Sequence, residues 1–431
     1  MEIMKTDAEK NQVCIDSQTE TSGRTHLYKY MAENNVSAVL FIDVDNFKYI
    51  NDCYGYRLGD CLLQQISTRL EDEVGNCGKV FMFGGDEFVA VIDRCKGNEI
   101  IYKSRQVVKK FETASFSVGG QEVSITISMG VYIPKKLDEL TEDLIRKADI
   151  ALFKAKSNGK SQLAFYDELM DDEIKRKILL NSEMRKSINE KEFYVHYQPI
   201  FDISKGRATE VEALLRWESR TIGSIFPAEF IPVAEGSGLI KAIGDFVMES
   251  VFRQLKLWEK EGMEIKVAIN ISPVQLLNKA FISKFKELVR KFNIDYKKIK
   301  FEITETQILT DKGEIVKFLY RMLKSGLDIS LDDFGTGFSS IKNMILFPIS
   351  EIKIDKSFSD KLLYDEKTEA IIESIIYAAK KSGYKVTAEG VETQTQFEKL
   401  RGMGCDKIQG YYIGKPMSPE QITDFIRSFG L

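Results

Sequence analysis

Between Ala208 and Gly414 the chain repeats one pattern, a short β-branched run followed by a stretch with helical spacing. The runs are ATEVEALLRW, IKVAINIS, KIKFEIT, LDISLDDF, ISEIKIDK, YKVTAEGV and KIQGYYIG. Strand alternating with helix this persistently fits few architectures, because each helix must carry the chain back to start a parallel neighbour. The expectation is an α/β TIM-like barrel.

Polar residues fall at telling places in these runs. Glu212, Asn270, Glu302, Asp332, Asp333, Lys353 and Glu389 each lie inside, or at the C-terminal end of, an otherwise apolar stretch. At any single position a helix-capping or loop acid is the simpler account. Along a succession of strand ends it is not, since a barrel gathers those ends on the face where catalytic groups sit. Five carboxylates at an apolar mouth repel one another, and Lys353 alone does not offset them. Two divalent ions roughly 3.5–4 Å apart would, and they would also acidify a shared water for phosphoryl chemistry. Only two histidines, His26 and His196, are present, which argues against a His-rich centre or a His-based triad. The pattern points to hard ions held by oxygen, Mg²⁺ or Mn²⁺.

The first half has a different grammar. SAVLFIDVDNF reads as a buried strand ending in Asp43 and Asp45, GDCLLQQISTRLEDEV as an amphipathic helix with Asp60 as N-cap, and FMFGGDEFVA as a hairpin turning on Gly84-Gly85 with both glycines at positive φ. A helix near residues 97–112, a paired strand VSITISMGVYI and the helix LTEDLIRKADIALFKAKSNGK follow. This is an α+β pattern with a mainly antiparallel sheet. If the hairpin lies beside the first strand, Asp43 and Asp86 can share a magnesium ion carrying a triphosphate, with glycines that let the nucleotide approach the backbone.

The expected division is a polar N-terminal segment (1–36), a first domain (37–167), a helical connector (168–192) and a second domain (193–431). The connector lacks Gly and Pro and carries Met170, Ile174, Ile178, Met184 and Ile188 near helical spacing. A net charge of −4 with interspersed signs argues against a nucleic-acid polymer as partner. No run approaches the roughly 20 apolar residues of a membrane span, and the polar start is unlike a signal peptide, so a cytoplasmic protein is expected. Cys14, Cys53, Cys61, Cys77, Cys95 and Cys405 show no CxxC pairing and read as reduced, mostly buried thiols.

YQPI, EALLRW, NIS, EITE, DDFGTG, KID, AEGVE and QGY occur in the order of the EAL family of cyclic di-GMP phosphodiesterases, which the chain resembles from about Phe193 onward. The resemblance implies that Glu212, Asn270, Glu302, Asp332, Asp333 and Glu389 ligate two Mg²⁺ or Mn²⁺ ions. It also implies that Lys353 positions the attacking water, that Glu305 braces the DDFGTG loop, and that Gln198, Arg216, Gln409 and Glu392 contact the dinucleotide. Gly414 and Phe338 depart from the family's usual residues without touching this set. The implied reaction is hydrolysis of cyclic di-GMP to pGpG.

The stretch from about Ser37 to Tyr166 resembles the GGDEF family of diguanylate cyclases. By that likeness Asp43 and Asp86 hold Mg²⁺, Asn51 and Asp60 read guanine, Lys48, Lys156 and Lys160 lie near the phosphates, Gly84 and Gly85 line the nucleotide, and Glu87 assists catalysis. The family's N-terminal signature survives only as DSQTETSGR, Met82 replaces an arginine, Gly55-Tyr56 replaces a GH pair, and the inhibitory RxxD motif reads GNCG. Lys160 replaces an arginine and gives up its planar fork. These losses favour a domain that binds GTP as a regulatory ligand over an active cyclase. A bifunctional or net cyclase, and a non-catalytic cyclic di-GMP receptor, are the alternative readings. Both families commonly work as dimers, so a homodimer is expected.

Overall fold

The computed structural model describes residues 23–135, 139–304, 314–335 and 348–428, divided into two units at Arg176/Lys177.

In the first unit, strands β1 (Ala38–Val44), β2 (Gly78–Gly84), β3 (Glu87–Ile92), β6 (Ile127–Tyr132) and β7 (Leu163–Phe165) form one sheet in the order β2-β3-β1-β6-β7. All its pairings are antiparallel except β6 with β7. Strands β4 (Ser115–Val118) and β5 (Gln121–Ser124) make a separate ribbon. Every residue of β1 is buried, because alternate side chains enter two cores. Leu40, Ile42 and Val44 join the cluster holding Leu62, Ile66 and Val107, while Val39 and Phe41 join the one holding Leu27, Ala148 and Leu152. On β6, Gly130 is required by close packing, since a Cβ there would lie 2.0 Å from the Ala148 carbonyl oxygen.

Three local expectations are corrected here. The hairpin turns on Gly85-Asp86: Gly84 still pairs with Glu87, and Gly85 alone of the two glycines has positive φ (57°). The ladder shift between Met82 and Gly84 moves the turn by one residue. Asp60 is not an N-cap, because the helix Tyr56–Val74 starts earlier, after Gly55. Nor are the cysteines all free: Cys77 and Cys95 form a disulfide and Cys61 is also disulfide-bonded, leaving Cys53 and Cys405 as the free thiols among the described residues. Pairing of Gly78 with Ile92 brings residues 77 and 95 together across the hairpin ends, a proximity that linear spacing does not display.

The helix Glu168–Glu190 runs across the division between the units. Its C-terminal part buries Leu180 and Met184 against Phe193, Trp217 and Phe230, whereas Ile178, expected on the apolar stripe, is 65% exposed.

In the second unit, β8 (Phe193–Asp202), β9 (Arg207–Ser219), β11 (Lys266–Asn270), β12 (Ile299–Thr304), β13 (Asp328–Phe334), β14 (Glu351–Ile354), β15 (Lys385–Ala388) and β16 (Lys407–Gln409) close into an eight-stranded barrel, with β10 (Gly223–Ile225) appended to β9. Seven strands are the expected ones, and the eighth, β8, is an addition. It runs antiparallel to both β9 and β16 and closes the sheet. The remaining neighbours in the barrel are parallel. Aliphatic and aromatic side chains from strands and surrounding helices, among them Val251, Phe285, Leu331 and Ile376, form one continuous core. No described helix is long and apolar enough to cross a membrane.

Candidate functional site

The parallel strands deliver their polar residues to one end of the barrel. Glu212 is on β9, Asn270 ends β11, Glu302 is on β12, Asp332 and Asp333 are on β13, Lys353 is on β14, Glu389 follows β15 and Gln409 ends β16. The Lys353 ammonium is their centre, with Nζ 2.5 Å from Glu389, 3.1 Å from Glu302, 3.2 Å from Asp332 and 3.5 Å from Glu212. Two amides fix Glu212: Asn270 Nδ2 donates to Oε1 at 2.6 Å and Gln409 Nε2 to Oε2 at 2.6 Å. Gln409 also donates to Gln198 Oε1, and Gln198 in turn to the Gly414 carbonyl.

One lysine among this many acids leaves the charge unbalanced, and the carboxyl groups respond. Burial pushes Glu302 well above the usual carboxylate range, with Lys353 opposing and Glu212 and Asp332 adding to the rise. Burial likewise lifts Glu389 to about 8, and burial with the Asp332 charge raises Asp333. Glu212 moves the other way: burial opposes its charge, but Lys353 and the two amide donors outweigh it. Burial would lower Lys353, yet the surrounding carboxylates hold it well above its ordinary value.

The donor set fits divalent ions. Both Glu302 oxygens and Asp332 Oδ1 are buried and accept no hydrogen bond, their contacts with Lys353 lying outside hydrogen-bond geometry. Oxygens of Asp332, Asp333 and Glu389 come within 4.8 Å of one another. Hard, oxygen-only donors with unsatisfied lone pairs are what Mg²⁺ or Mn²⁺ takes up.

Of the other expected residues, Arg216 is half-buried and donates to the Leu215 carbonyl. Glu392 lies in the loop that leads into the next helix and pairs with Lys356 at 2.7 Å. Glu305 lies outside the described residues. A cavity of about 290 Å³ adjoins the carboxylates, lined by Asn270, Glu302, Arg216, Ser272 and Glu235 among apolar neighbours. Glu235, which accepts from Ser272 Oγ at 2.6 Å, carried no sequence signal, since PVAEGSG reads as an ordinary helix end.

The first unit assembles a second cluster. Register pairs Asp43 on β1 with Glu87 on β3, and Asp86 accepts from the Val44 amide through its carbonyl. Lys156 Nζ lies 2.6 Å from Asp43. Burial raises the Asp43 carboxyl against the pull of Lys156, and burial together with Asp149 and Asp43 raises Glu87. Asp149 is the residue that sequence reading missed; an acid inside the otherwise apolar ADIAL stripe was its only signal. Asn51 Oδ1 is buried without a partner and packs where a Cβ of Gly59 would be. Asp60 and Lys48 are exposed, and Lys160 donates to Asn46 at 2.7 Å.

Comparison with known proteins meets this geometry. The EAL domain pattern matches residues 181–416, more than half of the chain. The chain belongs to the EAL family. Its EAL domain follows a diguanylate cyclase GGDEF domain matched at residues 10–162. Relatives include the bifunctional diguanylate cyclase/cyclic di-GMP phosphodiesterase MucR of Pseudomonas aeruginosa, 31% identical over 96% of this chain and 60% of that protein. The cyclic di-GMP phosphodiesterase PdeR of Escherichia coli is 30% identical over 90% of this chain and 58% of its own length. The GGDEF–EAL chain therefore spans about three fifths of each of these two relatives. The structure of the PaMucR phosphodiesterase in complex with c-di-GMP aligns with 57% of this chain and 99% of its own at 34% identity, with a TM-score of 0.54.

Proposed function

We infer that the EAL barrel hydrolyses cyclic di-GMP to pGpG with two divalent ions, and that the GGDEF domain binds GTP as a regulatory ligand. The single observation that carries the first part is the Glu302 carboxyl group, buried among acids with neither oxygen accepting a hydrogen bond and only the shared Lys353 ammonium as counter-charge. A receptor has no need of such a group, whereas a metal-dependent hydrolase does.

Glu212, Asn270, Glu302, Asp332, Asp333 and Glu389 would hold the ions, which when bound supply Lewis-acid polarisation of the phosphodiester and a more acidic water. The chain's own groups do the rest. Asn270 and Gln409 lock the Glu212 carboxylate by donating to both of its oxygens. Lys353, kept protonated by its neighbours, offers positive charge where phosphate charge develops. Gln198 and Arg216 would border the substrate, beside the mainly apolar wall of the cavity that Arg216 lines.

In the GGDEF domain, Asp43 and Asp86 would hold Mg²⁺ with GTP, Asn51 would read the base, and Lys156 and Lys160 would face phosphate. A second reading, net or bifunctional synthesis, is favoured by the Asp43–Glu87 pairing and by MucR's bifunctional name.

Turnover of cyclic di-GMP by the purified chain with Mg²⁺ or Mn²⁺, with and without GTP, tests the reading. Glu212→Ala should abolish hydrolysis, and full activity of that variant refutes it. GTP binding lost in Asp86→Ala, with no product from GTP in the Glu212→Ala background, supports the regulatory role; accumulation of cyclic di-GMP there supports synthesis.

A further inference from the structure

Beneath the carboxylate cluster the barrel interior carries a second set of charges. Glu210 on β9, Lys300 on β12, Glu351 on β14 and Lys407 on β16 are all buried, Lys300 completely. Each stands two residues before a site residue on its own strand: Glu212, Glu302, Lys353 and Gln409 respectively. Because side chains two apart on a strand share a face, each of the four lies directly below a site group. The four strands alternate around the barrel, which is how one interior layer of this fold is built.

The four heads form a closed circuit of alternating sign. Lys300 Nζ bonds Glu210 Oε2 and lies 2.8 Å from both Glu351 oxygens. Lys407 Nζ lies 2.6 Å from Glu210 Oε1 and 2.6 Å from Glu351 Oε2. Thr387 Oγ1, on β15, adds a donor to Glu351 Oε1 at 2.8 Å. Both carboxylates and both ammoniums are thereby satisfied and the net charge is zero.

Stability does not account for this layer. Valine, isoleucine and leucine are its usual filling, and exchanging a buried ion network for apolar residues is commonly neutral or favourable by about 1–4 kcal/mol. What the circuit adds is direction. Apolar packing tolerates small sideways slips, whereas short charge-assisted bonds tie four alternate strands at fixed spacing one layer below groups whose metal distances tolerate only about 0.2 Å.

We propose that the Glu210–Lys300–Glu351–Lys407 circuit is a positioning layer that sets the spacing of the divalent-ion ligands above it. The proposal rests on the metal reading of the EAL site. Its members touch neither substrate nor ion.

The test is Mn²⁺ binding by the full chain, read by titration calorimetry, alongside steady-state hydrolysis. The apolar variant Glu210→Leu/Lys300→Met/Glu351→Leu/Lys407→Met should unfold at or above the wild-type temperature, bind Mn²⁺ at least tenfold more weakly and lose kcat by a similar factor, the scale on which supporting groups act. A purely structural circuit leaves Mn²⁺ affinity unchanged in a folded variant, so a loss smaller than tenfold overturns the proposal. Should the quadruple variant not fold, Glu351→Gln, which keeps the volume and removes one charge, is judged by the same tenfold criterion. Wild-type protein that binds no Mn²⁺ overturns the metal reading itself, and the positioning role with it; wild-type binding matched by the folded variant overturns the positioning role alone.

Discussion

Glu389→Gln makes the tension between stability and function measurable. Glu389 stands 2.5 Å from Lys353, yet burial, with Asp332 and Glu212 reinforcing it, lifts its carboxyl from 4.5 to about 8. An acid raised on folding binds more protons in the folded than in the unfolded state between those two values. Wild-type stability without metal therefore falls as pH rises through that window and levels off above about 8. At about 1.36 kcal/mol per tenfold, the full cost is at most about 5 kcal/mol. Glutamine mimics the neutral acid at every pH, so metal-free Glu389→Gln should match wild type near pH 4.5 and exceed it by up to about 5 kcal/mol on the alkaline side. Both tryptophans of the chain, Trp217 and Trp258, are buried in the barrel unit, so urea unfolding followed by tryptophan fluorescence in EDTA reports that unit alone. Mn²⁺ at 100 times Kd should narrow the gap, since wild type gains about 2.7 kcal/mol while the variant gains less. A variant no more stable than wild type in alkaline EDTA refutes the electrostatic account of the site.

Two further outcomes follow from the first unit. Cys77→Ser/Cys95→Ser opens an 18-residue closure and should lower the stability of the GGDEF domain by about 3 kcal/mol; unchanged hydrogen-exchange protection of β2 and β3 would count against it. Gly130→Ala drives a methyl against the Ala148 carbonyl and the Leu152 amide, so the thermal transition of the GGDEF domain should drop by several degrees while barrel tryptophan fluorescence is unaffected.

The barrel and most of its site were legible because their signal is local. Strand runs announce themselves by β-branched residues, and an acid at the end of an apolar run, as at Glu212 or Glu389, is conspicuous wherever the strand leads. The closing strand carries no such signal, because Phe193–Asp202 contacts its partners antiparallel and belongs to no strand–helix repeat. Lys300, Glu351 and Lys407 are hidden for a related reason: KIK, SEIK and DKIQ look like solvated strand starts, and only closure of the sheet places those charges inside. The Cys77–Cys95 bond depended on hairpin register in the same way.

The sequence by itself determined the two domain types, the chemistry of the donor set and the candidate ligands, since residue type and spacing fix hydrogen-bonding capacity, charge and the face a side chain takes. Tertiary structure alone decided that Lys353 is the hub of four carboxylates, that the Glu302 oxygens accept no hydrogen bond, and that a circuit of buried charge underlies the site. Burial, proton affinity and ion pairing depend on groups more than a hundred residues apart in the chain, as Glu212 and Lys353 are, meeting in a medium that excludes water.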